Sequence, residues 1–223
     1  IVVNDSRGFY TSRVFSTYTN EGLSLLAEGN HPQEIETAGK KAGMPVGPLA
    51  VIDEINLGLV AQIRNQTRKD LAAEGKELPL IPADQVIDLM TEKINRLGRA
   101  QGAGFYEYPE NGKKYLWPEL QTHFPIAKNP LNQDEMMERI LFIQAIETIR
   151  AYEENVVTSV AEANIGSIFG WGFSPEKGGT LQFINDYGIK KFENKSQELS
   201  KKYGERFNPP KMLKKMASKK ETF

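Results

Sequence analysis

The sequence predicts an all-α fold of two tandem duplicated helical domains packed together, with a small β-hairpin excursion near residues 105–117. Apolar residues recur at spacings of three and four along most of the chain, which is the pattern of amphipathic helices. Glycine, proline and asparagine separate these segments and mark helix ends. The second part of the chain also repeats features of the first part at a nearly constant offset. These features together predict helices arranged in two related copies.

The first helix is predicted over residues 9–28, and its buried face is indicated by five residues: Tyr10, Val14, Tyr18, Glu21 and Leu25. A glycine ends this helix. The second helix has Pro32 in its first turn, is capped by Asn30 or His31, and ends near Gly43. The chain therefore opens with two helices joined by a short turn.

The third helix begins after Gly47-Pro48 and is expected to bend at Asn56, because asparagine tolerates the left-handed conformation better than most residues. Two further helices are predicted over residues 57–74 and 83–97. Glycine and proline lie between these two helices, so we expect them to form an antiparallel pair.

A β-hairpin is predicted where two short aromatic segments, residues 105–108 and 114–117, flank the turn sequence Asn111-Gly112. Prolines punctuate the next stretch at three positions: Pro118, Pro125 and Pro130. We therefore place a linker over residues 118–133.

The two copies are related by matching residues. At an offset of 126, four charged residues recur, so that Arg13, Glu21, Glu28 and Glu36 match Arg139, Glu147, Glu154 and Glu162. After an insertion of six residues the offset is 132, and Gly47, Asp53 and Asn56 match Gly179, Asn185 and Gly188. A period this long indicates a duplicated domain rather than a solenoid. We predict a first domain over residues 1–117 and a second over residues 134–223, joined by the linker.

Composition narrows the classes of function. The chain has 28 Lys and Arg against 29 Asp and Glu, so its balance does not indicate a nucleic-acid or anionic-membrane partner. The lysines of residues 211–220 could bind nucleic acid, but a basic terminus is more commonly solvated. No apolar run approaches the roughly eighteen residues of a membrane span. The chain has no cysteine, which fits a reducing compartment, so we expect a cytoplasmic protein.

Cofactor-binding and metal-binding residues are not predicted. Gly102-Ala103-Gly104 leads into a strand, whereas a phosphate-binding loop leads from a strand into a helix. His31 and His123 have no further metal ligands beside them in the sequence. The glycines of Gly47-Pro48 and Gly178-Gly179 precede helices whose amides could hold an anion, although a tight turn explains them equally.

The repeated charges allow two interpretations. Arg13 and Glu21 are either surface residues or members of buried pairs with partners on neighbouring helices. Because they recur in the second copy, we favour a structural role and expect Glu21 and Glu147 to be substantially buried.

Several short motifs follow one another in order. In the first copy they are residues 3–13, Glu28-Gly29, residues 43–48 and Asp53, and residues 102–106 follow between the copies. In the second copy they are residues 172–175, Gly178-Gly179, Tyr203-Gly204 and residues 206–209. Together they resemble the C-terminal domain of 3-hydroxyacyl-CoA dehydrogenases, present twice as in the multifunctional fatty-acid oxidation complex alpha subunit. The resemblance spans nearly the whole chain.

The resemblance implies NAD-dependent oxidation of a 3-hydroxyacyl-CoA to the 3-ketoacyl-CoA in fatty-acid β-oxidation. In that family a histidine takes the hydroxyl proton, hydride passes to NAD, and a glutamate orients the histidine. These parts belong to an N-terminal nucleotide-binding domain that the present residues do not include. We therefore expect no NAD bound to these residues and no activity from them alone.

One family site residue maps onto this chain. It is an asparagine directly before Arg13, which reaches the substrate and the catalytic histidine, and the residue at that position here is Ser12. Serine keeps a donor and an acceptor but is shorter, so Ser12 is the one candidate catalytic residue. The chain also departs from the family's usual glycine, aspartate and proline at Asn56, Asn185 and Arg7.

The resemblance also implies partners. These are an acyl-CoA substrate, reached through the N-terminal domain, and a thiolase subunit. An alternative function is a helical assembly module that docks a thiolase or another subunit without a catalytic contribution, and a third is a helical domain that has lost catalysis. If the first function holds, we expect Ser12 to face the N-terminal domain, with Phe9 and Phe15 within about 60° of it around the helix axis.

Overall fold

The computed structural model describes residues 1–223. It contains eleven α-helices and one antiparallel hairpin, which confirms the all-α fold with a small β excursion. The helices are α1 (Thr11–Ala27), α2 (Pro32–Lys41), α3 (Pro48–Ile55), α4 (Leu57–Ala73), α5 (Ala83–Asp88), α6 (Leu120–His123), α7 (Gln133–Glu153), α8 (Val160–Trp171), α9 (Thr180–Tyr187), α10 (Ile189–Tyr203) and α11 (Lys211–Lys219). The strands are β1 (Tyr106–Glu107) and β2 (Tyr115–Leu116).

The buried face of α1 is the one that the sequence predicts. Its five residues spaced three and four apart are at most 1% exposed, including the carboxylate residue Glu21. The helix begins at Thr11, two residues later than predicted, because Gly8 and Phe9 both have positive φ angles, 76° and 48°. A left-handed pair of residues cannot continue into an α-helix, so the chain turns before α1 begins.

Side chains cap both α2, where the sequence predicts a cap, and α4, where it predicts only a bend at Asn56. The ring Nδ1 of His31 accepts a hydrogen bond from the amide of Gln33 at 3.2 Å, so His31 rather than Asn30 caps α2. Asn56 has φ 85° and divides α3 from α4, as predicted. Its side-chain oxygen accepts hydrogen bonds from the amides of Gly58 and Leu59, which caps α4. A short polar residue thus both ends one helix and begins the next.

The helix ends of the two copies have matching backbone geometry. A residue with positive φ follows α1 and α7 at the same offset of 126, Gly29 at 81° and Asn155 at 59°. At the offset of 132, α3 and α9 both have eight residues. They end at Asn56, with φ 85° and ψ 114°, and at Gly188, with φ 90° and ψ 118°. These helices therefore recur in the order that the duplication predicts.

One predicted match is wrong by two residues. Glu36 accepts hydrogen bonds from the first amides of α3 at Leu49 and Ala50, and in the second copy Asn164 does the same for α9 at Leu181 and Gln182. The predicted partner of Glu36, Glu162, lies instead in the first turn of α8, where its amide donates to the Ser159 hydroxyl. Because α2 begins at residue 32 and α8 at residue 160, part of the six-residue insertion precedes α8.

Contacts divide the chain into two compact units. Unit 1 contains residues 1–18, 40–45 and 137–223, and unit 2 contains residues 19–39 and 46–136. This division differs from the predicted domains 1–117 and 134–223, because the first turns of α1 belong to the unit that holds most of the second copy. The predicted domains describe copies along the sequence, and superposition of the copies remains their test.

Two buried carboxylates organise unit 2. Asp53 accepts hydrogen bonds from the amides of Phe105 and Tyr106, both at 2.9 Å, and from the Tyr108 hydroxyl at 2.8 Å. The Tyr106 hydroxyl donates to Glu36 at 2.8 Å. Burial raises the pKa of Asp53, although its hydrogen bonds favour the charged form. The hairpin is therefore attached to α2 and α3 through carboxylates.

In unit 1, the position on α9 that corresponds to Asp53 on α3 also binds a segment from another part of the chain. Asn185, the counterpart of Asp53, donates to the backbone oxygen of Phe223 at 3.1 Å and accepts from its amide at 3.0 Å. An amide side chain can both donate and accept, whereas an ionised carboxylate only accepts. Asn185 therefore binds both the amide and the backbone oxygen of one residue, whereas Asp53 accepts hydrogen bonds from three donors.

Two segments differ from the sequence-based prediction. The helix expected over residues 83–97 is shorter: α5 is followed by a π-helical turn at Leu89–Ile94, and Asn95 adopts a left-handed conformation with φ 57°. The stretch predicted as a linker contains α6. It is also fixed to unit 2, because the amide of Ala127 donates to the carbonyl of Gly29 at 2.8 Å. No helix of the protein is both long enough and apolar enough to span a membrane.

Replacing Gly104 tests how closely the hairpin approaches α3. A Cβ atom on Gly104 would lie 2.1 Å from the carboxylate of Asp53. Gly104→Ala is therefore expected to lower the free energy of unfolding by about 2–3 kcal/mol in urea denaturation. Gly102→Ala is the control, since nothing lies within 4 Å of its Cβ position and only its φ of 77° is unfavourable, at about 1 kcal/mol. Equal losses in the two variants would contradict the close approach.

Tyr106 and Tyr108 are expected to make stability sensitive to alkaline pH. Burial, and then the nearby charges of Glu36 and Asp53 respectively, raise the pKa of the two hydroxyls above their ordinary value of 10.0. In the unfolded chain the phenols ionise near pH 10, so their contribution to stability is complete below that pH. It is lost as the pH rises from there toward the folded-state pKa.

The measurement is the free energy of unfolding in urea between about pH 8 and pH 11. It should fall less steeply above pH 10 when both tyrosines are replaced by Phe. Tyr115→Phe is the control, because Tyr115 is a 52% exposed tyrosine of the same hairpin. Identical slopes for the double variant and the unmodified protein would contradict the expectation.

Candidate functional site

Ser12 lies at the start of α1 and is held by its neighbours. The amide of Arg13 donates to the carbonyl of Gly8 at 3.1 Å, which closes the turn that leads into the helix. Ser12 itself is exposed, and its hydroxyl has no hydrogen-bond partner in the protein. The hydroxyl is therefore free to bind a group from outside this chain.

The first turn of α1 packs against α8. The Tyr10 hydroxyl donates to the carbonyl of Ala163 at 2.8 Å, and the Tyr10 ring meets Trp171 edge to face at 5.4 Å. Burial raises the pKa of Tyr10 to about 12. A Cβ on Gly166 would lie 3.1 Å from the Tyr10 ring, and one on Gly170 would lie 2.7 Å from the Thr11 methyl group. Two glycines one helical turn apart thus allow this close packing.

Arg13 fixes the same turn from another side. Its guanidinium binds Glu147 and Glu154 of the α7 region, both at 2.6 Å. Burial alone would lower the pKa of Arg13, but these carboxylates outweigh burial and raise it, and the Arg13 hydrogen bond lowers the pKa of Glu154. The expectation of partners on a neighbouring helix is confirmed for Arg13. The burial expectation is also confirmed, because Glu21 is 1% exposed and the Glu147 side chain 13%.

Apolar side chains are exposed in the elements around Ser12. Phe9, in the preceding turn, is 56% exposed, and Ile165 and Phe169 of α8 are 52% and 86% exposed. The expected 60° angle between Ser12 and Phe9 does not apply, because Phe9 precedes the helix and has a left-handed conformation. Phe15 lies within α1 and is half-buried, with its ring 6.2 Å from that of Tyr18. Sequence reasoning did not identify Ile165 and Phe169, although their spacing of four beside Gly166 and Gly170 indicates a helix with one packed and one open face.

The two helix N-termini considered as anion sites are already capped by side chains. Glu36 accepts from the first amides of α3, and Asn164 accepts from those of α9. The Ser167 hydroxyl accepts a further hydrogen bond from the amide of Thr180 at the start of α9. The glycines before these helices therefore form turns, and the amides are used within the protein.

The two histidines have separate partners and do not bind each other. His31 caps α2 and contacts Gln121 at 2.9 Å, whereas His123 stacks on Trp117 with ring centroids 5.1 Å apart. No group of three or more acidic or histidine residues is arranged to hold a metal ion.

The residues of this chain do not fit NAD. Its strands have two residues each and pair as an antiparallel hairpin, and Gly102-Ala103-Gly104 leads into β1. A dinucleotide site needs a parallel strand that turns through glycines into a helix N-terminus. The chain therefore supplies no dinucleotide cradle of that kind.

Comparison with known proteins identifies the first copy. Residues 8–108 match the family model of the 3-hydroxyacyl-CoA dehydrogenase C-terminal domain. The chain is also similar to the structure of 3-hydroxybutyryl-CoA dehydrogenase from Escherichia coli K12 substr. MG1655, with 18% identity and a TM-score of 0.67 over 97% of this chain and 61% of that one. It is similar to the dehydrogenase part of multifunctional enzyme 1 from C. elegans, with 16% identity and a TM-score of 0.63 over 96% of this chain and 49% of that one.

The solved structures and the family model support different conclusions. The chain spans less than two thirds of either solved structure, and identities of 18% and 16% establish a shared fold. The family model is matched by the segment that contains Ser12, Asp53 and the hairpin start. Residues 8–108 are therefore similar in sequence to 3-hydroxyacyl-CoA dehydrogenase C-terminal domains, as their motifs indicate.

Proposed function

We propose that the chain is the C-terminal part of an NAD-dependent 3-hydroxyacyl-CoA dehydrogenase, which oxidises 3-hydroxyacyl-CoA to 3-ketoacyl-CoA in fatty-acid β-oxidation. Its task is to supply one wall of the substrate site. The observation that carries this proposal is the position of Ser12, which is exposed and unpartnered within the segment that matches the family model.

The surroundings of Ser12 suit this task. Tyr10 and Arg13 fix the backbone on both sides of it, while its hydroxyl can donate one hydrogen bond and accept others. Catalytic groups gain most when they are held in position before substrate binds. The substrate's oxygen and the family's histidine are both polar groups that a fixed hydroxyl can orient.

The histidine, the glutamate and NAD lie outside these residues under this proposal. The chain has no dinucleotide cradle and no paired histidine base, so it is inactive without a nucleotide-binding domain. The partners proposed from the family are the acyl-CoA substrate and a thiolase subunit. A cytoplasmic location is proposed because the chain has no cysteine.

Calorimetry with NAD tests whether the cofactor site lies outside these residues. The isolated 223-residue chain is expected to show no binding with a Kd tighter than about 1 mM, because it lacks a parallel strand leading through glycines into a helix. A version that includes the nucleotide-binding domain is the positive control. Micromolar binding by the isolated chain would mean that the cofactor site lies within these residues.

Substitution of Ser12 in the complete enzyme tests its role. Ser12→Ala removes at most one hydrogen bond, worth about 0.5–1.5 kcal/mol, and should lower kcat/KM roughly twofold to tenfold. Ser12→Asn restores the family's residue and should keep at least the original rate. Ser16→Ala is the matched control, because Ser16 is exposed one turn further along α1 and its hydroxyl donates to the carbonyl of Arg13.

Three outcomes separate the possible functions. A loss confined to Ser12→Ala supports the proposal. An active enzyme whose rate is unchanged in Ser12→Ala contradicts a catalytic role for Ser12 and favours the assembly module. Absence of any dehydrogenase activity in the complete protein, with NAD bound, contradicts the proposed reaction itself.

A further inference from the structure

A groove of about 450 Å³ lies in unit 1, remote in sequence from Ser12. It is formed by the end of α7, the start of α8, one face of α11 and the segment that follows α11. The Ser12 function does not use this groove. Its volume falls within the range of small-molecule sites, about 300–1,000 Å³.

The inner surface of the groove is largely apolar. Met212 and Met216 line it from α11, and Tyr152 and Phe223 add two aromatic rings to the lining. The rings of Tyr152 and Phe223 meet edge to face at 6.2 Å. Phe223 is held in place because Asn185 binds both its amide and its carbonyl. Thioethers and aromatic rings form a surface that accommodates a flexible alkyl chain.

The rim of the groove carries two lysines that have no ion-pair partner. Lys211 and Lys215 stand one turn apart on α11, are exposed, and have no ion-pair partner in the protein. The two acidic residues of the groove have partners other than these lysines. Glu153 accepts from the amide of Met212 at 2.9 Å, and Glu221 lies 3.7 Å from Lys219. Two ammonium groups are therefore available to a ligand.

The charge around the groove differs from that of the whole chain. Residues 189–223 contain eleven Lys and Arg against four Glu, whereas the whole chain has a net charge of −1. An anion approaching this region meets a local positive potential although the protein is nearly neutral.

The corresponding helix end in unit 2 is covered. Leu26, the counterpart of Tyr152 at the offset of 126, is fully buried, and the next segment is closed by the hydrogen bond from Ala127 to Gly29. Tyr152 is only half-buried. The second copy therefore opens a space at a position that the first copy fills.

We propose that this groove binds an amphipathic anion, a medium-length alkyl chain that ends in a carboxylate or a phosphate. The alkyl chain lies against Met212, Met216 and the two aromatic rings. The anionic head group binds Lys211 and Lys215 at the rim.

A membrane surface fits the observations less well. On the apolar face of α11, Leu213 and Ala217 are buried within the protein and cannot enter a lipid bilayer, and Met216 is exposed only where it borders the groove. Diffuse binding of a charged surface would use every exposed lysine of α11 and of its C-cap alike, including Lys214 and Lys220, which do not line the groove. This difference provides the control.

The test is a titration of the full-length protein, labelled with carbon-13 on methionine methyl groups, with decanoate below its micelle-forming concentration. The methyl signals of Met212 and Met216 should shift in a saturable way, while those of the core residues Met44 and Met90 should not. Octyl glucoside, which is neutral, and inorganic phosphate, which has no chain, should each bind at least about tenfold more weakly. Decyl phosphate in a parallel titration shows which head group is preferred.

Matched lysine variants decide whether the groove is responsible. Lys211→Gln with Lys215→Gln should weaken decanoate binding about tenfold or more, since two charge-assisted contacts are lost. Lys214→Gln with Lys220→Gln makes the same change in net charge and should alter binding by less than about twofold, because neither side chain lines the groove and exposed charges outside it are screened. Unchanged Met212 and Met216 signals, equal effects of the two double variants, or equal binding of octyl glucoside or inorganic phosphate would each overturn the proposal.

Discussion

The ion pairs of Arg13 with Glu147 and Glu154 are the constraint on which the Ser12 surface depends. Arg13 and Glu147 are mostly buried, at 17% and 13% side-chain exposure, and a buried charge without its partner is strongly destabilising. The two residues belong to different copies of the duplicated sequence but to the same compact unit. The start of α1 is therefore fixed by the second copy, and residues 8–108 alone lack the carboxylates that hold it.

This dependence gives the second copy a clear physical task. The glycines of α8 receive Tyr10 and Thr11, while α7 and the residue directly after it supply the two carboxylates for Arg13. The duplicated part thus acts as the support of the surface on which the proposed site residue stands.

The two copies also show how one hydrogen-bonding task is met by different residue types. Glu36 and Asn164 both cap the helix that follows, because backbone amides need only an oxygen acceptor. Asp53 binds donors alone, whereas Asn185 binds a donor and an acceptor of one residue. The residue type follows the partner group, so identity between the copies is not required.

Local rules of sequence predicted a large part of this fold. The buried face of α1, the left-handed break at Asn56 and the hairpin position follow from periodicity and turn chemistry, which act over a few residues. The register between Glu36 and Asn164 was missed because it depends on where an insertion is absorbed, and identical residues at a fixed offset gave the wrong match. The turn at Phe9 was missed because a left-handed phenylalanine is costly and is stable only through the packing of its neighbours. Ser12 was identified by resemblance, while the apolar residues of α8 near it depend on tertiary contacts.

Ser12 is exposed whereas its neighbours are buried, and this difference bears on its function. An exposed hydroxyl bonded to water contributes almost nothing to stability, so the fold gains little from a serine at this position. The residues beside it are under the opposite constraint, since Tyr10 and Arg13 are buried polar groups that must keep their partners. The first turn of α1 is therefore fixed by the contacts of Tyr10 and Arg13 and is exposed at Ser12. A binding group placed in this way loses little conformational entropy when a ligand arrives, which is the physical basis of preorganisation.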